Sequence, residues 1–355
     1  MHNLQTYILN DLLTLIAVVF LFGVLVFFHE LGHFITAKLL KMKVEEFAFG
    51  FGSRKITLFK RGETEYTVHP IPLGGFVKIM GMDHNEADVP DGFMSKPWWK
   101  RFMVFFSGPI FSFVLAYTIF CLLGLFYGVP VPVNKVYKVN TGSVAQRAGL
   151  RAGDRIVKID NERIETGKEM MAVISSKTNK TIKLVLERKG KLISIQATPK
   201  PESKFRKRGL LGFIPDQEIQ RVGFAESISY NTKMTVVMIK TILGSIFSRD
   251  VAKSVGGPIS IVAVTNESIK SGLDFYLRLM GLLSMSLGII NLLPIPVVDG
   301  GQMILLLAEG VKGRRLSPRT LEIAQQIGLT MLATIFILVM YLDVSRWISG
   351  TLIPK

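Results

Sequence analysis

The chain has 355 residues, 49% of them hydrophobic, a formal net charge of +16 and a single cysteine, Cys121. A mean hydropathy of +0.37 is too apolar for an ordinary soluble protein and points to a membrane body with room for about one small soluble domain. One thiol excludes an internal disulfide framework. The basic balance comes without a nucleic-acid recognition motif, so it reads as topology signal and affinity for anionic lipid headgroups.

The first apolar run extends from Leu12 to about Leu40 and is uncharged as far as Phe28. No basic residue precedes it and no small-residue cleavage site follows, so a spanning helix is expected rather than a signal peptide. Its end, "VLVFFHELGHFITAKLL", carries His29, Glu30 and His33 where ionisable groups are costly. On a helix, His29 and His33 share one face at i and i+4, so both imidazoles can converge on one metal ion. Glu30 stands beside the first of them, placed to take a proton from water. This is the H-E-x-x-H pattern of zinc hydrolases. Zn²⁺ suits imidazole and carboxylate donors, and a catalytic site leaves it one open position. The bland alternative is a chance match, since the pattern is short.

The following loop is studded with Lys38, Lys41, Lys43, Arg54, Lys55, Lys60 and Arg61, and ends in Lys100 and Arg101. Within it "GETEYTVHPIPLGGFVKIMG", residues 62–81, alternates like a β-hairpin. A second run, Phe102 to about Val131, carries no charge. From Val133 to Ile214, "NKVYKV", "DRIVKIDNERI", "TIKLVLERKG" and "KLISIQATP" read as strands between turns, and "TGSVAQRAGL" as a capped short helix closing on a glycine. Between Glu218 and Ser271, "AESISYNTKMTVVMIKTILGSIF" has the spacing of an amphipathic helix, lying at the membrane surface or packed on the soluble domain.

The third run, Leu279 to Ala308, holds Asp299 as its only charge and is interrupted by Pro294 and Pro296; the fourth runs from Ile323 to Leu342. Lys312, Arg314, Arg315 and Arg319 lie between them. The positive-inside rule puts this loop and the first basic loop in the cytoplasm and both termini outside. The long β-rich segment is also basic, but long folded regions translocate regardless of charge.

Two histidines need a third ligand. His2, His69 and His84 lie at a terminus or in polar loop sequence and read as structural or exposed. Asp299 is the better candidate. Spans one and three run the same way, and at 1.5 Å per residue His29 lies ~26 Å along the first and Asp299 ~30 Å along the third. Asp299 can equally cap a second half-helix, "GGQMILLLAEG", which does not exclude ligation.

These residues resemble a known family. "HELGHF", "GFG" at Gly50 to Gly52, "PLGGFVKIMG", "SGPIFSFVLA", "GGPISI" at Gly256 to Ile261 and "NLLPIPVVDGGQ" are similar to the site-2 proteases, intramembrane zinc metalloproteases, and to the bacterial group that includes the regulator-of-sigma-E protease. The resemblance implies one Zn²⁺ per chain on His29, His33 and Asp299, with Glu30 as general base. It implies that Asn291, by sequence alone an ordinary helix interruption, sits in the active site to position substrate or steady the oxyanion. It implies a hairpin dipping into the membrane, whose edge at Gly74, Gly75 and Phe76 pairs with extended substrate. "RGLLGF" resembles the loop with which PDZ domains hold a peptide carboxylate, giving Gly209, Leu210, Leu211, Gly212 and Phe213 as binding residues; a terminal strand with two glycines is the plainer alternative.

The expected fold is therefore a polytopic α-helical membrane protein with four transmembrane helices, a membrane-associated β-hairpin and one inserted β-rich PDZ-like domain. Its parts are 1–132 with the first two spans, 133–216 PDZ-like, 217–276 an amphipathic connector and 277–355 with the last two spans. The family implies a bacterial cytoplasmic membrane and single-pass substrates such as anti-sigma factors, trimmed first by a site-1-type protease, or remnant signal peptides. Rival classes are a PDZ-containing membrane scaffold with a vestigial metal site, which has no need of Glu30, and a metal transporter, which needs several ligand sets along a path.

Overall fold

The computed structural model describes residues 2–82, 89–201, 208–246, 248 and 256–350. In chain order its elements are α1 (His2–Leu39), β1 (Val44–Phe51), β2 (Ile56–Arg61), β3 (Thr64–Val68), β4 (Ile71–Ile79), α2 (Trp98–Phe126), β5 (Val129–Val139), α3 (Val144–Arg147), β6 (Arg155–Ile159), β7 (Glu162–Arg163), α4 (Gly167–Ser176), β8 (Ile182–Arg188), β9 (Lys191–Ala197), β10 (Lys200–Pro201), β11 (Gly209–Leu210), β12 (Phe213–Gln220), α5 (Phe224–Ile246), α6 (Pro258–Ser271), α7 (Leu273–Asn291), α8 (Asp299–Lys312) and α9 (Pro318–Ile348). They form two compact units, one of residues 1–123 with 228–355, the other of 124–227.

Among the described residues of the first unit, four helices are long and apolar enough to cross a membrane: Asn10–Leu39, Trp98–Phe126, Leu273–Asn291 and Pro318–Ile348. The inner faces of α1, α2 and α7 meet in a core of Leu21, Leu25, Leu115, Ile119, Leu123 and Met280. Tyr276 joins that core and donates its hydroxyl to the Ala17 carbonyl at 2.8 Å, which keeps a buried O–H satisfied. The second apolar run, expected as far as Val131, is helical only to Phe126. Gly128 turns left-handed, and the prolines at 130 and 132 cannot donate to a helix, so "VPVPV" becomes strand β5. The third run likewise divides. Pro294 and Pro296 remove two amides from the ladder, α7 ends at Asn291, and a turn of residues 292–298 leads into α8. Asp299 is the first residue of α8; the cap position belongs to Val298.

The expected hairpin over residues 62–81 is a different structure. The sheet order is β2-β3-β1-β4, so β1 separates β3 from β4. Phe47 of β1 faces Tyr66 of β3 in a parallel ladder and Val77 of β4 in an antiparallel one. The true hairpin is β2–β3, closing at Gly62. The physical reason is at Gly50, whose φ is +89°. A Cβ there would lie 2.7 Å from the Ile71 carbonyl oxygen and 2.8 Å from that of His69, so only glycine lets the chain pass over the end of β1. β4 is left as an edge strand.

The amphipathic helix is α5, and its partner differs from the two expected. Met238, Ile239, Ile242 and Ile246 pack against Ala116 of α2 and Met285 and Ile289 of α7. The "GGPISI" stretch starts α6, and a carboxylate from α9 caps it. Buried Asp343 accepts the Gly257 and Ser260 N–H groups, each at 3.0 Å, and the Ser260 hydroxyl at 2.6 Å. Elsewhere α9 is mostly exposed; Gly328 lies against Val297.

In the second unit the strands run β12-β5-β6-β8-β9, with β7 beside β6 and a separate β10–β11 pair. Alternation in "TIKLVLER" puts Ile182, Leu184 and Leu186 inward, onto Ile156, Ile159 and Met170. Ser143 caps α3 and Thr166 with Glu169 forms a capping box on α4. Asp154, 1% exposed, is gripped by Arg188 from Nε at 2.7 Å and Nη2 at 2.8 Å, and by the Arg151 amide. Burial raises the Asp154 carboxyl, but the Arg188 hydrogen bonds outweigh it and hold the group below the ordinary 3.8. A depressed carboxylate stabilises the fold above its unfolded pKa and loses that contribution as pH falls through the folded value. Arg188→Ala leaves the charge buried and unpaired. It is expected to lower the opening free energy of β6 and β8 by about 3 kcal/mol at pH 7, read as faster amide exchange at Ile156 and Leu186. The difference should shrink below about pH 4; equal exchange in mutant and wild type would contradict this account.

Candidate metal centre

Helical spacing on α1 brings the His29 and His33 rings to a centroid distance of 4.9 Å, with their Nε2 atoms 3.3 Å apart. Helix α2 fixes both rings from behind. His33 Nδ1–H donates to the Val104 carbonyl at 2.7 Å. Ser112 donates its hydroxyl to the Gly108 carbonyl and so accepts from His29 Nδ1–H at 3.1 Å. Each ring therefore spends its proton on α2 and turns a bare Nε2 lone pair inward. Gly108 makes the approach possible, because a Cβ there would sit 2.3 Å from His33 Nε2.

The third group comes from α8. Asp299 Oδ2 lies 3.1 Å from His29 Nε2 and 3.5 Å from His33 Nε2. Its position depends on the two glycines after it. A Cβ on Gly300 would lie 2.4 Å from the Leu292 carbonyl carbon, and one on Gly301 2.1 Å from the Ile295 oxygen, so the first turn of α8 packs directly on the 292–298 turn. Gln302 clamps the same turn from its side-chain amide to the Pro296 carbonyl at 2.6 Å.

Asp299 Oδ2 is buried and has no hydrogen-bond partner. The two imidazole nitrogens and a carboxylate oxygen thus face one another, all within 4.8 Å. Such acceptors repel unless a cation lies between them. Two imidazoles and one carboxylate form a donor set that fits Zn²⁺ with one position left over.

Glu30 lies between this cluster and β4. Its carboxylate interacts with His33, His29, Asp299 and the backbone amide of Val77. A Cβ on Gly75 would be 3.6 Å from Glu30 Cγ and 2.7 Å from the Ala48 oxygen, so the glycine lets the strand lie close. Gly74 has φ +137°, with the Phe51 ring where a side chain would go, and Phe76 stacks over Phe51 at 6.4 Å. Of the residues expected on the strand edge, Gly75 thus sits beside Glu30. Asn291, half-buried, closes α7 at the turn that delivers Asp299.

The other expected residues are elsewhere. Gly209 and Leu210 form β11 in the second unit; the Leu211 and Gly212 carbonyls accept the Ala145 and Asn140 amides, and Phe213 opens edge strand β12. His69 is buried structurally, bonded to the Gly52 carbonyl and Glu46. His84 lies outside the described residues. Sequence reading missed Val104, Gly108 and Ser112, which hold the ligands. The signal for Gly108 and Ser112 was present in "SGPIFS", small and polar residues within an uncharged span; Val104 acts through its carbonyl and left none.

Residues 17–335 match the model of peptidase family M50. A Clostridium acetobutylicum chain named as a zinc metalloprotease is 36% identical over 327 residues, covering 91% of this chain and 95% of that one. A Brucella suis chain with a zinc metalloprotease name is 30% identical, with 89% and 90% covered. The Regulator of sigma-W protease RasP of Bacillus subtilis is 27% identical over 420 residues, with 94% and 98% covered. Among solved structures, the PDZ domain of an SdrC-like protein from Listeria monocytogenes is similar at 24% identity and a TM-score of 0.22, covering 24% of this chain and 90% of that one. With the family model reaching all four apolar helices, the first and last in part, and including both halves of the His-His-Asp cluster, the chain belongs to peptidase family M50.

Proposed function

We propose that the chain is a zinc endopeptidase that cuts single-pass membrane proteins within or near the bilayer. The observation that carries this reading is the set of His29 and His33 nitrogens converging on an unpartnered Asp299 oxygen, with His29, Glu30 and His33 on a helix of membrane-spanning length and Asp299 at the start of the shorter α8. When bound, Zn²⁺ supplies a Lewis acid that brings hydroxide within reach of neutral pH and polarises a carbonyl. The protein's own groups do the rest. Glu30 accepts the proton of the attacking water and returns it to the leaving amine. Val77 N–H and the nearby imidazoles steady its carboxylate meanwhile. The edge of β4 at Gly74, Gly75 and Phe76 takes the substrate as an added strand, which opens its helix and exposes the scissile carbonyl. Asn291, at the mouth of the 292–298 turn, orients that carbonyl. The loop Gly209–Phe213 of the PDZ-like unit meets substrate ends or filters them by size.

The substrate class rests on the resemblance: anti-sigma factors already trimmed by a site-1-type protease, or remnant signal peptides; a relative named as a regulator of sigma-W protease is in keeping with the first. The same resemblance supports a bacterial cytoplasmic membrane, with both termini and the PDZ-like unit outside. Reporter fusions test the orientation. One placed between Arg54 and Glu63 should score cytoplasmic and one near Asn179 extracytoplasmic; the reverse pattern would invert the topology.

Metal analysis of the purified protein should give about one Zn²⁺ per chain. Asp299→Ala should lose most of it, whereas Ser112→Ala, which removes only the support of His29, should lower zinc affinity by ~10–100-fold. Full zinc retention in Asp299→Ala would remove the carboxylate from the ligand set. Glu30→Gln should keep the metal but lower hydrolysis of a tagged single-pass substrate by at least ~10²–10⁴-fold. A scaffold with a vestigial site would be indifferent to that change, so normal partner binding with no cleavage in wild type would favour the scaffold.

A further inference from the structure

His69 has no part in the chemistry above, yet both of its ring nitrogens are engaged. It stands where the chain passes from β3 to β4 over the end of β1, and it is bonded to that strand and to the residue just beyond it. Its backbone N–H donates to the Phe49 carbonyl at 2.8 Å. Ring Nδ1 lies 2.8 Å from the Gly52 carbonyl oxygen, and Nε2 lies 3.2 Å from Glu46 Oε1. The residue is 7% exposed, and its ring also meets the Phe76 ring of β4 at a centroid distance of 5.4 Å.

A neutral imidazole carries one proton, and both of these partners are acceptors. Thr67 does not supply a second. Its hydroxyl proton goes to Glu46 at 2.6 Å, and its oxygen stays 3.4 Å from Nε2. Burial raises the Glu46 carboxyl, but the Thr67 and His69 hydrogen bonds and the Lys55 charge outweigh it and hold the group below the ordinary 4.5. The acceptor at Nε2 is therefore a carboxylate. Only the imidazolium, with a proton on each nitrogen, satisfies Gly52 and Glu46 together. Among the described residues, the other charges around the pair are Lys55, 3.8 Å from Glu46, and Glu65 of β3, which Lys55 and Lys60 approach at 2.8 and 3.5 Å. Lys78 of β4 pairs with Glu45 instead.

We infer, on the endopeptidase reading in which the β4 edge takes the substrate, that His69 is a positioning residue for that edge and that its second proton sets how firmly the edge is held. With both protons the ring is pinned from two sides and gives Phe76 a fixed wall. Phe76 adjoins Gly75, which lies beside Glu30. When pH rises and one proton leaves, a lone pair faces either the carboxylate or the carbonyl oxygen, so the ring lets go of one partner. A histidine that is charged in the ordered state contributes its ordering in full at low pH and loses it as pH rises. Substrate should thus bind best at the acid end of the range in which histidine changes charge, about pH 5 to 8.

The test uses the full-length, zinc-loaded Glu30→Gln protein in proteoliposomes, where hydrolysis is stopped and binding of a tagged single-pass substrate is read by cross-linking. From about pH 6 to about pH 8.5, binding should weaken by about tenfold. Two further changes are made in this parent. Glu46→Gln supplies an amide N–H to Nε2, so a neutral ring is satisfied; the slope should flatten to within about twofold, with tighter binding than the parent at high pH. His69→Phe keeps bulk against Phe76 but has no proton to lose, and should also be flat. Amide exchange at Gly75 and Phe76, corrected for the intrinsic effect of pH, should rise with pH in the parent and stay level in Glu46→Gln. Zinc content and thermal melting show that each variant is folded. A folded Glu46→Gln or His69→Phe protein with the parent's slope, or parent exchange at β4 that ignores pH, overturns the role of His69. No cross-linked substrate at any pH, with zinc bound and the exchange difference present, overturns the endopeptidase reading instead.

Discussion

Two imidazole lone pairs and a carboxylate oxygen, buried within 3.5 Å of one another, repel unless something positive lies between them. The rest of the membrane unit is arranged to keep them there. Val104 and Ser112 take the imidazole protons outward, so neither ring can relieve the crowding by turning a donor inward. Gly108 lets α2 approach, and Gly300 with Gly301 lets α8 start against the turn it comes from. The bent backbone at residues 292–298 is tolerated at this depth because its amides bond within the turn and it lines a polar site. Each device is inexpensive alone. Together they hold a charged cluster that a plain bundle of apolar helices would exclude.

Much of this was legible. The His29–Glu30–His33 spacing announces itself because helix geometry is regular and the surroundings are uncharged, so three ionisable groups stand out. Asp299 was legible for the same reason, as the only charge in its run, and matching depths were enough to pair it with α1. The strands of the second unit could be read from alternation, since a half-buried sheet writes its pattern at period two.

What stayed hidden was decided by contacts remote in sequence. β3 and β4 look like a hairpin because their residues alternate and only two residues join them; the intruding β1 is visible only once Gly50 is seen under the crossing chain. Pro294 and Pro296 announced a break within residues 279–308. Composition does not reveal that the prolines open a turn rather than a kink. The "GGPISI" stretch had no legible role, because its partner, Asp343, lies more than eighty residues away.

The last helix is held very differently from the other three. Most of its length is exposed, and its firmest attachments are Asp343 at one end and the contact of Gly328 with Val297. At 31 residues it is ~46 Å long, against a hydrocarbon core of ~30 Å. Such a helix settles its mismatch by tilting, with lipid rather than protein as its main neighbour. With Asp343 as a pivot, a change of tilt is felt at the other anchor, and Val297 stands two residues before Asp299. Bilayer thickness thereby becomes a mechanical input to the metal site: the same enzyme in a thinner or thicker membrane would hold its third ligand under a different load.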